Sequence, residues 1–327
     1  MQTGRVSVIV PSRNERYLQQ TIDSLLVNAR GDVEIVVVLD GGPWPDPPLK
    51  DDKRLVVIRH NESTGMRPSI NEAAQVASGQ FLMKCDAHIS VEPGYDEALK
   101  ADCDDRTLLV PTRHSLDPET WTVRPRHFNY TVLTYPFKSS MYGAGFHAVT
   151  YPWDVNRTVN KERADILLDP IIGAQGSLWF QRRDYFLSFP PLDHENFGFY
   201  QESQECCLRV WMTGGQCLVS KKTAYAHMHK GKDHQGADGR RGRGFYLDLR
   251  RKRASESYMV DYCLNDRWPN RVRTFESLIE QFWPFMERMT DERYSWPADW
   301  RDWEKHRAAF ENRTPDQIPA HIRSVSI

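Results

Sequence analysis

The sequence predicts an α/β fold: a mostly parallel central sheet with a helical C-terminal extension. Two observations predict the sheet. Its apolar, β-branched runs are too continuous for a sheet with one wet face, and they alternate with segments of helical period. A third observation places the function: the runs end in loops that carry acids, glycines and a histidine, and ligands of such sheets gather at the carboxyl ends of the strands.

Val6-Ser7-Val8-Ile9-Val10-Pro11 reads as a strand stopped by proline, and Tyr17 to Val27 follows with Leu18, Ile22, Leu25 and Leu26 at helical spacing. Glu34 to Leu39 is a second buried strand, ending in Asp40-Gly41-Gly42, and Leu55 to Ile58 is a third. A helix through Ser69 to Ala77 leads to Gly79 and the strand Gln80 to Cys85, which delivers Asp86-Ala87-His88; Leu108 to Pro111 adds another strand. Trp121 to Asp169 is aromatic and irregular. Ser177 to Phe180 reads as a strand, Glu202 to Met212 as a helix closed by Gly214-Gly215, and Gln216 to Val219 and Ala224 to His227 as two further strands. From Thr274 the chain is helical and then Trp-rich, with Trp296, Trp300 and Trp303. The organisation expected is a catalytic domain over 1–262, with a nucleotide-binding half in 1–115, an acceptor half in 170–230 and a basic lid in 231–253. The extension then covers 263–327.

Composition excludes little. Hydrophobic residues make up 40% and charged residues 27% of 327, and the net charge is -1, so no whole-chain field points to nucleic acid. No apolar stretch approaches the ~20 residues of a membrane span, and Met1 to Arg5 run straight into a strand. Six cysteines form no Cys-x-x-Cys pair. Together these predict a cytoplasmic protein with reduced thiols and no membrane partner.

Asp86 and His88 sit two residues apart, so in an extended chain their side chains point the same way and can share one divalent ion. Ser12-Arg13-Asn14-Glu15 and Asp40-Gly41-Gly42 end on the same edge of the sheet. Asp40 can accept from a uracil N3–H or a ribose hydroxyl, and Arg67 can reach a diphosphate.

These residues, in this order, resemble the family 2 glycosyltransferases of GT-A fold, and within them the polypeptide N-acetylgalactosaminyltransferases. The resemblance rests on Val6-Ser-Val-Ile-Val-Pro-Ser-Arg-Asn-Glu15, Val38-Leu39-Asp40-Gly41-Gly42, Gly65-Met66-Arg67, Asp86-Ala87-His88, Gly173-Ala-Gln-Gly176-Ser-Leu-Trp-Phe180 and the helix from Glu202. It covers most of residues 5–262. It implies that Pro11, Ser12, Arg13, Glu15, Asp40 and Arg67 bind the nucleotide sugar, that Gly176 faces the sugar, and that Trp211 lines the same site or belongs to the core. It also makes His227 the third metal ligand beside Asp86 and His88. Leu39 stands where the family has a first acid, and Tyr200-Gln201-Glu202-Ser203 replaces a Gly-Gly-Glu-Asn start, which leaves the donor sugar open.

The implied activity is transfer from a UDP-sugar to a hydroxyl. Carboxylate plus imidazole ligation points to Mn²⁺ ahead of Mg²⁺, a Lewis acid for the departing diphosphate. Asp86 and Glu202 are the catalytic acids, Glu202 taking the acceptor proton in an inverting reaction and lying beside the sugar in a retaining one. Residues 221–253 hold eleven Lys and Arg against three Asp. Lys230, Lys232, Arg240, Arg241, Arg243, Arg250, Arg251 and Arg253 thereby become candidate phosphate contacts, and the favoured acceptor is DNA carrying a hydroxymethylated base, flipped out of its stack. The alternatives are a protein Ser or Thr, a saccharide or lipid carrier, or an idle nucleotide- or DNA-binding module.

Overall fold

The computed structural model describes residues 1–137, 145–193, 195, 201–230, 249–292, 294–312 and 314; side chains at 148, 153 and 249–255 are not described. Lys232, Arg240, Arg241 and Arg243 lie outside the described residues. Arg250, Arg251 and Arg253 belong to a helix, but their side chains also lie outside the description.

The described elements run β1 (Gln2–Ser12), α1 (Leu18–Asn28), β2 (Val33–Asp40), β3 (Leu55–His60), α2 (Met66–Val76), β4 (Gly79–Cys85), β5 (Ile89–Val91), α3 (Tyr95–Asp102), β6 (Thr107–Asp117) and β7 (Thr122–Phe128). They continue with β8 (Thr131–Leu133), β9 (Ala148–Thr150), α4 (Trp153–Glu162), β10 (Leu168–Pro170), β11 (Leu178–Arg182), α5 (Arg183–Ser188), α6 (Glu202–Met212), β12 (Gln216–His227), α7 (Leu249–Leu264), α8 (Phe275–Met286) and α9 (Trp303–Glu311).

The main sheet has the order β10-β12-β6-β11-β4-β1-β2-β3, with β5 on β12 and β7 on β6. Strands β3, β2, β1 and β4 are mutually parallel, as are β12 and β6. Strand β11 runs antiparallel to both β4 and β6, so it reverses between two groups that point the same way. The sheet is therefore mostly parallel, as the apolar runs predict. Gln216 to His227 form one strand rather than two, with a register shift between Ser220 and Ala224 absorbing the polar interruption. The irregular stretch after Trp121 contains β7, β8, β9 and α4.

Alternation along the strands divides the core. Val6, Val8 and Val10 of β1 join Ile35 and Val37 of β2 in one cluster against α1 and α3, while Ile9, Val36 and Val38 face the opposite cluster with α2 and α6. The second cluster continues into the C-terminal region: Phe275, Leu278, Ile279 and Phe282 of α8 pack there, with Trp296 and Trp300. The Trp296 indole donates to the Leu133 carbonyl at 2.6 Å. Thr274 caps α8 by accepting from the Ser277 N–H. Among the described residues no helix is long and apolar enough to cross a membrane.

Candidate active site

The sheet brings its polar ends together because β4, β1 and β2 all finish on one edge. Strand β4 stops at Cys85, the Asp86 N–H still bonds to the Ser177 carbonyl of the adjoining chain, and His88 follows just before β5. Strand β12 ends at His227, opposite Ile89 in antiparallel register, and the Met228 N–H donates to the His88 carbonyl. The end of β12, 141 residues downstream of Asp86, is thus fixed beside it by backbone pairing.

Asp86, His88 and His227 each offer one ligand atom, and these atoms lie within 4.8 Å of one another. His227 Nε2 is 3.2 Å and His88 Nε2 3.8 Å from Asp86 Oδ2, and the two imidazole centroids are 4.9 Å apart. Burial lowers the His227 pKa to about 4 against the pull of Asp86, so the ring is neutral at neutral pH, the form that ligates metals. Its Nδ1 is buried without a hydrogen-bond partner. Burial alone would raise the Asp86 carboxyl, but Lys84, His227 and His88 hold it well below the usual carboxylate range. One carboxylate and two imidazoles at this separation fit a divalent ion of the Mn²⁺ type.

Two supporting groups surround these three. Lys84, 1% exposed, donates to Asp86 Oδ1 at 2.8 Å and to the Gly176 carbonyl, leaving Oδ2 toward the histidines. Burial lowers its pKa, yet Asp86 and Glu202 more than reverse this and keep it a cation. Lys84, Asp86 and His88 alternate along one chain, so the same spacing that singles out Asp86 and His88 also marks Lys84, which the sequence reading passed over. Glu15 accepts from His88 Nδ1 at 3.0 Å and from Lys230 Nζ at 2.5 Å. Despite burial these two partners bring its carboxyl down to about 2. Glu15 is thus placed to orient the His88 ring, and Lys230 is fastened to it.

Glu202 opens α6 and is buried. Its Oε1 accepts from the Trp179 indole at 2.7 Å, and Trp179 is a residue that sequence reasoning quoted without a role. Its Oε2 lies over Gly176, where a Cβ would come within 2.8 Å. A side chain at Gly176 would displace the Glu202 carboxylate, and the Gly176 loop links Lys84, Asp86 and Glu202 in one cluster. Pro11 and Ser12 pair with Val38 and Leu39 at the end of β1, with Arg13 following on the same edge.

Packing engages three further residues of the expected site in contacts within the protein. The Asp40 carboxylate is taken up by its own neighbourhood: His60 Nδ1 at 2.8 Å, Ser63 Oγ at 2.6 Å, and the N–H groups of Thr64 and Gly65 at 2.7 and 2.9 Å. Burial pushes it up, but these donors prevail and hold it below the usual range. Arg67 is fully buried and ion-paired with Glu205 of α6, tying two helices together. Trp211 is core: it is 4% exposed, donates to the Ile171 carbonyl at 2.9 Å and packs edge-on against Phe282.

Residues 7–189 match the model of Glycosyl transferase family 2. The chain belongs to that family. Among curated family relatives it is 24% identical over 245 residues to the Putative polypeptide N-acetylgalactosaminyltransferase 13 of Drosophila melanogaster, covering 69% of this chain and 42% of that one. It is 30% identical over 125 residues to the Putative glycosyltransferase EpsH of Bacillus subtilis, covering 36% of each. The chain thus spans less than half the length of these two relatives. The crystal structure of GalNAc-T7 with UDP, GalNAc and Mn²⁺ superposes with a TM-score of 0.63 at 16% identity, covering 87% of this chain and 58% of that one. This likeness extends to the fold, which is GT-A.

Proposed function

We propose that this family 2 chain transfers a sugar from a UDP-sugar to a hydroxyl acceptor, using a divalent metal held by Asp86, His88 and His227, with Mn²⁺ ahead of Mg²⁺. The observation that carries this reading is the convergence of those three ligand atoms within 4.8 Å at the carboxyl edge of the sheet. When bound, the metal supplies positive charge for the departing diphosphate. The chain's own residues do the rest. Lys84 occupies one oxygen of Asp86 and so presents the other to the ion, and Glu15 fixes the His88 ring through Nδ1. Glu202, steadied by Trp179, brings a carboxylate to the Gly176 loop. In an inverting transfer it accepts the hydroxyl proton of the acceptor; in a retaining one it lies beside the sugar ring.

A protein Ser or Thr hydroxyl is the acceptor the relatives favour, since curated matches covering about 70% of the chain carry polypeptide N-acetylgalactosaminyltransferase names. DNA rests on the basic composition of 221–253 alone. Of the eight basic residues expected to meet it, only Lys230 has a described side chain, and Lys230 is paired with Glu15. Mass spectrometry decides between them: Ser/Thr peptides and hydroxymethylated DNA are each incubated with a panel of UDP-sugars and Mn²⁺. The added mass identifies sugar and acceptor together, and the anomeric proton coupling of the product gives the stereochemistry. No transfer, and no Mn²⁺-dependent hydrolysis of any UDP-sugar by the wild type, overturns the proposal.

A further inference from the structure

Helix α6 has a second functional-looking face. Glu205, Arg209 and Thr213 recur every four residues along it and line a cleft of about 530 Å³ that none of Asp86, His88, Glu202 or His227 borders. Tyr185, Phe189, Tyr262 and Trp268 supply aromatic walls, and the volume is that of a small-molecule site.

Arg209 is the unusual member. It is 3% exposed, and its guanidinium faces lie on Phe186 and Phe189 at 4.8 and 4.7 Å. Nη1 donates to the Pro190 carbonyl at 3.4 Å, whereas Nε and Nη2 are buried without any hydrogen-bond partner. Those two nitrogens form the edge whose parallel N–H groups match the two oxygens of a carboxylate. Glu205, one turn before on the same helix, bonds to Arg67 and reaches Arg209 through charge alone. The Tyr185 hydroxyl, on another wall of the cleft and edge-on to Phe189, is likewise buried and unpartnered. Buried donors of this kind need an acceptor, and both side chains belong to the lining of the cleft.

We propose that this cleft binds a small aromatic monocarboxylate. Its carboxylate takes the Nε/Nη2 edge of Arg209 and the Tyr185 hydroxyl, and its ring lies among Phe189, Tyr262 and Trp268. Entry to the covered edge turns Phe189 aside. A single negative charge suits the site better than a phosphate dianion, because Glu205 and Asp193 also line it. The site is independent of the transferase reading.

Isothermal titration of the full chain tests this with benzoate, phenylacetate and indole-3-acetate as probes, indole-3-acetamide as the uncharged counterpart and inorganic phosphate as the competing anion. At least one acid binds, and indole-3-acetamide and phosphate bind about tenfold more weakly or not at all. Arg209→Lys, which keeps the charge and loses the fork, weakens the acid by about tenfold. Tyr185→Phe removes only an unpartnered hydroxyl, leaves the fold intact, and weakens it by roughly threefold or more. Asp86→Ala leaves it unchanged. The proposal is overturned if none of the three acids binds at millimolar concentration, if acid and amide bind alike, or if folded Tyr185→Phe and Arg209→Lys proteins bind as tightly as wild type.

Discussion

Asp40 and Asp86 are both acids at the carboxyl ends of parallel strands two places apart in one sheet, and their fates differ. The Asp86 side chain is 28% exposed and its neighbours are two imidazoles and a lysine; the Asp40 side chain is 6% exposed and enclosed by donors from residues 60–65. What separates them is the chain that comes back. After Asp40 the end of β3 and the segment beyond it return with a histidine, two hydroxyls and two backbone N–H groups, and saturate the carboxylate. Near Asp86 the returning segment is the end of β12, whose backbone bonds are already paired with β5 and β6, so that only the His227 side chain faces the acid. A strand-end acid becomes a reactive corner when its neighbours' backbones are satisfied elsewhere.

The sharpest way to break this contrast is to remove each acid in turn. Asp86→Ala is expected to lower Mn²⁺-dependent turnover of a UDP-sugar by roughly 10³-fold, because several kcal/mol of charge stabilisation at the diphosphate go with the ion, and it also costs stability by leaving the buried Lys84 cation without its paired carboxylate. Asp40→Ala should cost stability alone. It strands Ser63, His60 and two backbone N–H groups, costing about 2–4 kcal/mol in urea denaturation, with Mn²⁺ affinity retained. If Asp40→Ala keeps full stability, the saturated-clasp reading fails.

Protonation separates the corners next. The folded-state pKa of His227, about 4, lies below its ordinary 6.5, so below pH 6.5 the unfolded chain binds a proton that the folded chain refuses. Stability therefore falls as pH drops from 6.5 toward 4, by about 3 kcal/mol at most from this group, and His227→Gln flattens that segment of the profile. Asp40 works in the opposite sense. Its folded pKa lies below the ordinary value, so its contribution is present above that value and is lost as pH falls through the lowered one. Asp40→Asn should remove slope only in that more acidic window.

The smallest effect expected is that of Glu15→Gln. Loss of the carboxylate behind His88 should weaken Mn²⁺ by about tenfold, read by titration of the bound ion, with the fold intact. Unchanged affinity would show that His88 needs no orienting partner.

Much of this was legible in the sequence. The apolar runs predict the parallel strands, and two-residue alternation puts Asp86 and His88 together. Lys84 is readable by the same rule. His227 follows only from order along a family pattern, since no local spacing ties it to a residue 141 positions away. The setting of Arg67 is hidden for a related reason. An arginine in the first turn of a polar-looking helix gives no sign that Glu205, 138 residues on, will bury it. Trp211 sits within a helix whose every residue is buried, and that follows from packing against α8 rather than from its own periodicity.

The reversed strand β11 has a consequence for how the molecule comes into being. Among the described residues it is the only strand bonded to both β4 and β6, so the two parallel groups of the main sheet stay unjoined until residues 178–182 have been made. The proposed metal corner needs still more chain, because His227 ends the last described strand of the sheet. These long sequence separations make closure slow relative to local helix formation. A nascent chain shorter than 227 residues carries Asp86 and His88 on a half-built sheet, so the capacity to hold an ion arrives last, as a sign that the whole sheet has closed.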